Sequence, residues 1–298
     1  MSSTSPFVRI SKPRSAGTKD RVLLDSAKRH PLTGPFAWLG RFALVALEHI
    51  GSLVVLLWQA VSIVCISITR QGPRVGRAAI ASQIVRLGAR SIVIVSVVSS
   101  AVGLILALQL APPLDDFGQR ELVPNIIAIA VLRELGPLIG AIVLTGFAGA
   151  AVAAEIGTMV VGEEIEALEA HALSPVRFLV VPRVAATLLS MTVLSVISSL
   201  VAIGAALAIS AIVLEIPVAV YIENTLFQAK VEDFLTGVLK GAVFGLLIGL
   251  IACGNGLKVT GGAAGVGNAT TDTVVQSVVG IILADLLFTG IFYMLEWF

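Results

Sequence analysis

Arg133 and Glu134 stand side by side in Val131-Leu132-Arg133-Glu134-Leu135-Gly136-Pro137, and they are the only ionisable residues between positions 122 and 154. A charge inside so apolar a stretch is costly unless it faces a cavity or a partner. An arginine there can grip a phosphate through two parallel hydrogen bonds, which a lysine cannot copy. A glutamate there can hold a neighbouring helix or keep the arginine oriented. Adjacent helical residues point about 100° apart, so the two need not pair with each other. Gly136 and Pro137 follow at once, which predicts a distorted helix with freed backbone carbonyls. Glu134 precedes Glu155 by 21 residues, about 31 Å of helix, which sets it near the outer face of a membrane. Two readings stand: the polar rim of an outward-facing cavity, or a pair simply solvated at the interface.

A second group follows Glu155. Glu163, Glu164, Glu166 and Glu169 alternate with Ile165, Leu168 and Ala172 at helical spacing, and Ser174-Pro175 opens a new helix. This predicts a short amphipathic helix between two apolar stretches. It is either a solvated surface helix or a docking helix whose apolar stripe enters a groove on a soluble partner. Asp285, in the last apolar stretch, suits a proton or ion site and equally a helix-packing hydrogen bond. The run Gly146–Ala154 is rich in small residues, which lets helices approach closely.

Other chemistry is missing from the sequence. His30, His49 and His171 are scattered without metal-ligand spacing, and neither G-x-S-x-G nor G-x-x-x-x-G-K-[ST] occurs. The glycine-rich run Gly261–Gly267 lacks a following lysine and a preceding strand. Cys65 and Cys253 lie in apolar runs and read as small core hydrophobes.

The elements that must position these residues follow from composition. Of 298 residues, 57% are hydrophobic and 13% charged, against roughly 25% charged in a soluble domain. Mean hydropathy is +0.99. A soluble fold could not hide that much apolar surface behind so few charges, so the chain reads as an all-α integral membrane protein. Net charge is +1, which implies no nucleic-acid partner. Residues 1–35 form a basic tail rich in Ser, Pro and Gly. Apolar stretches follow at 36–69, 91–114, 122–154, 184–214, 236–257 and 273–295, each above the ~17-residue minimum for a spanning helix.

Charge decides which of them cross. The tail and the segment 70–90, with Arg70, Arg74, Arg77, Arg86 and Arg90, are both basic and both belong in the cytoplasm. The stretch 36–69 between them starts and ends on one side. It is expected to be an interfacial or re-entrant helix, with Trp38 and Trp58 as headgroup anchors. Loops 115–121 and 215–235 are net acidic and fall outside; the loop 155–183, with Arg177 and Arg183, falls inside. The result is an N-terminal interfacial helix (36–69) and a body (70–298) of five spans, N-terminus cytoplasmic and C-terminus outside.

Five blocks then carry a resemblance: Leu132-Arg133-Glu134-Leu135-Gly136-Pro137, Ala153-Ala154-Glu155-Ile156-Gly157-Thr158-Met159, the run Glu163–Glu169, Pro175–Arg183, and Gly261-Gly262 with Gly265–Thr271. In this order they resemble the successive motifs of the MlaE/YrbE permeases, over roughly residues 85–295. The resemblance implies the membrane subunit of an ABC transporter in the cell inner membrane. It implies a homodimer that binds a separate cytoplasmic ATPase and works with an MCE-domain protein, moving phospholipids or related lipids between inner and outer membranes. ATP is then bound by the partner and this chain holds no cofactor, metal or catalytic residue of its own, which suits the missing phosphate loop. The resemblance implies a lipid cavity, on whose rim the depth of Arg133 and Glu134 sets these two residues. It casts the helix between the second and third spans as the coupling helix, with Glu155, Glu163, Glu164, Ile165, Leu168 and Glu169 on the ATPase side.

The chain departs from the family pattern at Phe147 and Asn268, where arginines are usual, and at Ala264, where an acid is usual. Two other classes compete. An ion-coupled secondary transporter using Glu134 and Asp285 needs inverted repeats, and none is visible. An intramembrane lipid-modifying enzyme needs a His or Ser/Asp constellation at one depth, and the five spans hold no histidine.

Overall fold

The computed structural model describes residues 34–69 and 77–295. The basic tail before residue 34, Arg70 and Arg74 of the basic flank, the side chain of Trp38, and Glu296-Trp297-Phe298 lie outside the described residues. Every regular element among the described residues is helical, so the fold is all-α. In chain order these are α1 (Gly34–Thr69), α2 (Ala78–Asp116), α3 (Arg120–Val161), α4 (Glu164–Ala170), α5 (Val176–Ile212), α6 (Val218–Gln228), α7 (Val231–Leu257) and α8 (Gly262–Met294). Five of them, α2, α3, α5, α7 and α8, are long and apolar enough to cross a membrane.

Two units divide the chain, one ending at Ser52 and the other Leu53–Phe298. In the first, Leu44, Leu47 and Ile50 of α1 are exposed. The second takes in the latter part of α1, where Leu53, Leu56, Leu57 and Ile63 turn one stripe of that helix onto the main core. The opposite stripe, with Val54, Trp58 and Val61, stays exposed.

The helices outrun the apolar stretches that mark them. α3 has 42 residues, about 63 Å at 1.5 Å per residue, twice a ~30 Å hydrocarbon core. It carries Glu155 well before its end at Val161, and α8 starts inside the glycine-rich run at Gly262. α2 begins at Ala78, passes through a π turn at Ile84–Gly88 and so includes Arg86 and Arg90. Hydropathy stops at the first charge, whereas backbone hydrogen bonding does not.

Helix α7 is central: 56% of its apolar window is buried, against 11% in α8. Its Gly241, Gly245 and Gly249 recur every fourth residue and so share one face. A methyl on Gly245 would sit 2.6 Å from the Thr187 carbonyl oxygen of α5, and one on Gly241 would sit 2.7 Å from Ser195 Oγ. The α5 and α7 backbones therefore touch along this stripe. Ser99 of α2 and Ser198 of α5 share a buried hydrogen bond of 2.8 Å. At the far end α6 is held by Tyr221, whose hydroxyl donates to the Ile203 carbonyl at 3.3 Å. Burial pushes that phenol up to about 12.

Candidate functional site

The distortion expected after Arg133 is present as a π turn over Val131–Leu135, in which the Gly136 N–H reaches back to the Val131 carbonyl. Pro137 has no N–H to give the Arg133 carbonyl, and the widened turn absorbs that loss. The freed Leu132 carbonyl lies against Gly237 of α7, where a side chain would collide with it.

The same turn sends its two charges to different partners. Arg133 Nε donates to Asp233 Oδ1 at 2.5 Å, in the first turn of α7. Glu134 takes Lys240, seven positions further along α7, with Nζ to Oε2 at 2.6 Å. Thr289 Oγ1 of α8 donates to Glu134 Oε1 at 2.9 Å and accepts from Lys240 Nζ at 3.0 Å. Asp285 Oδ1 lies 2.9 Å from the same ammonium. Two hydrogen bonds, to Glu134 and Thr289, and the charge of the Asp285 carboxylate in ion-pair range are what permit a lysine only 1% exposed. The network ties α3, α7 and α8 together and sets three carboxylates against two cations. Beside it opens a cleft of about 520 Å³ between α3 and α8, where Ile129, Ala130, Leu286 and Tyr293 line the wall with Arg133, Glu134 and Thr289.

The network joins Arg133, Glu134 and Asp285, which the sequence singles out, to Lys240, Thr289 and Asp233, which it does not. Lys240 sits in an apolar run and was readable there as an intramembrane cation; its partners were not.

The other acidic residues divide. Glu155 lies on α3 and turns to its neighbours: Arg86 of α2 donates from both terminal nitrogens, at 3.1 Å to Oε1 and closer still to Oε2, and Arg183 Nη2 of α5 lies 3.0 Å from Oε1. It does not share the surface of α4. There Glu163, Glu164, Glu166 and Glu169 are exposed, while Ile165 and Leu168 are half-buried and Ile165 packs against the main core. Of the α4 stripe, Ile165 belongs to the chain's own packing, while Ala172 is exposed together with the acidic face. Glu163 enters the helix with φ of 58°, a left-handed kink that turns α4 off the axis of α3. Phe147 packs against the main core, and Asn268 is exposed.

The family model described as Permease MlaE matches residues 80–291. The chain belongs to the MlaE permease family. The MlaE match takes in all of the five long apolar helices but the first two residues of α2 and the last three of α8, together with the Arg133–Glu134 turn and α4. Among curated relatives, a probable ABC transporter permease protein of Rickettsia felis is 30% identical over 255 residues, covering 86% of this chain and 96% of that protein. A probable ABC transporter permease protein of Synechocystis is 32% identical over 220 residues, 74% of this chain and 84% of that one. The chloroplastic protein TRIGALACTOSYLDIACYLGLYCEROL 1 of Arabidopsis thaliana is 33% identical over 211 residues, 71% of this chain and 60% of that protein. The chain is thus a multi-pass ABC transporter permease of the MlaE family, and such a permease works with an ATPase.

Proposed function

We propose that this MlaE permease moves phospholipids or related lipids between the inner and outer membranes, with ATP bound and hydrolysed on a separate cytoplasmic subunit. The observation that carries the reading is the α3–α8 cleft, whose wall is apolar while Arg133, Glu134 and Thr289 stand at one position in it. A lipid has the same two parts. Its tails match the apolar wall, and a phosphate meets the Arg133 guanidinium, whose planar fork suits two phosphate oxygens. The plant relative is named for a lipid, a trigalactosyldiacylglycerol. Positive-inside orientation sets the Arg86–Glu155–Arg183 end in the cytoplasm and the Asp115–Arg120 end outside, with the N-terminus cytoplasmic and the C-terminus periplasmic. On this orientation α4 is the coupling helix and faces the ATPase with Glu163, Glu164, Glu166 and Glu169. The apolar face that α8 leaves uncovered suits a second copy of the chain, and an MCE-domain protein receives or delivers the lipid outside. Purification with the ATPase followed by lipid mass spectrometry, and reconstitution with a fluorescently tagged phospholipid, test the reading. ATP-dependent movement of the tagged phospholipid is expected; a complex that hydrolyses ATP, carries no lipid and moves none would refute it.

A further inference from the structure

We infer that Glu155 is the positioning residue through which a displacement of α4 reaches α2 and α5, so that ATP hydrolysis on the partner is converted into rearrangement of the spans. The inference rests on the reading of α4 as the ATPase-docking helix. Glu155 lies six positions before the end of α3 at Val161, about 9 Å along one helix, and Ala150–Val161 is regular α-helix. A push on α4 enters α3 through the turn at Gly162-Glu163 and then meets unbroken helix up to Glu155. The carboxylate is engaged on both oxygens by two arginines from two other helices.

Those arginines differ. Arg183 is 5% exposed, and its Nη1 also donates to the Leu179 carbonyl at 2.9 Å, so its guanidinium is anchored to α5. The Arg86 side chain is 41% exposed and holds Glu155 through a two-pronged contact. One partner is fixed and the other can follow or let go. Apolar contacts lie nearby: Gly157 is against Val259 and Val266, and Gly256 against Ile156. Apolar surfaces slide past each other at small cost, whereas a two-pronged ion pair holds or breaks. A network with two discrete arrangements is what carries coupling between distant sites. With two guanidiniums on one carboxylate, loss of the Arg86 contact still leaves the buried Arg183 neutralised, so the joint can open on one side without stranding a charge.

The test uses the full chain with its ATPase in liposomes holding the tagged phospholipid, and reads lipid moved per ATP hydrolysed. Glu155→Gln keeps the shape and removes the charge; Arg86→Gln removes the exposed partner and spares the buried one. In each, the ATPase should remain bound while lipid moved per ATP falls at least tenfold, and Glu155→Asp should recover part of it. A merely structural clamp predicts instead that both variants lose membrane abundance, with the ratio unchanged in what survives; that result, or an unchanged ratio at full abundance, overturns the inference. The docking reading fails separately: Glu164→Lys/Glu166→Lys, distant from the arginines, would then keep its full complement of ATPase.

Discussion

Lys240 Nζ of α7 lies 2.6 Å from Glu134 Oε2 of α3 and 2.9 Å from Asp285 Oδ1 of α8, so one buried ammonium joins three spanning helices. The three helices are held at the depth where the cleft opens, and the cleft wall cannot shift without changing this contact.

Lys240→Met should strand two carboxylates on an apolar background. Breaking a buried pair from one side costs about 3–5 kcal/mol, and membrane abundance and thermal stability should fall together. The triple variant Lys240→Met/Glu134→Gln/Asp285→Asn removes every charge of the ring and should regain most of the stability. Immunoblotting of membranes and a thermal shift assay in detergent read both.

Arg133→Lys keeps a cation beside Asp233, which is only 2% exposed, and removes the planar fork. Abundance should stay near normal while transport of a tagged phospholipid drops several-fold. Arg133→Ala leaves Asp233 buried and unpaired, so it should lose protein from the membrane. Equal transport by the lysine variant and the unmodified chain would remove the phosphate role.

Gly245→Ala places a methyl 2.6 Å from the Thr187 oxygen and 2.7 Å from Met191 Cβ. Overpacking of this kind costs about 1–3 kcal/mol, and the midpoint of denaturation should fall accordingly. Gly146→Ala, with open space around it, should be neutral in the same assay.

Ile165→Asp should reduce stability, because Ile165 packs against the main core. Glu164→Lys/Glu166→Lys changes exposed positions only and should leave stability intact while weakening ATPase retention, more strongly at low salt. Co-purification at two ionic strengths separates the two effects.

With the native cysteines replaced by serine, Ala79→Cys should react with an impermeant maleimide only from the cytoplasm and Glu223→Cys only from outside. Both positions are exposed. Reaction of position 79 from outside would reverse or break the five-span topology.

Five spans were legible because charge-free windows such as 184–214 leave little else for the chain to do. Their ends were not, since Arg86 and Glu155 look like loop charges until each is seen to neutralise the other across α2 and α3. The Arg133–Glu134 turn announced itself through the Gly136-Pro137 that follows. Its partners lie 100 and 106 positions away, a distance over which residue spacing carries no information. The α4 pattern showed an apolar stripe but not its direction, because helical period is blind to whether the covering surface is a partner or the chain itself. Gly241, Gly245 and Gly249 were equally visible in sequence, yet the small-residue run at Gly146–Ala154 drew the reading instead.

The glycine stripe of α7 has a consequence for the cell's energy supply. A membrane that carries a proton-motive force cannot host a permease with a water file through its middle. Along Gly241, Gly245 and Gly249 the α5 and α7 backbones meet with no space for even a methyl group at Gly245, and so none for a chain of water molecules. That seam is an electrical insulator. Any aqueous opening through this permease must lie elsewhere than between these two helices.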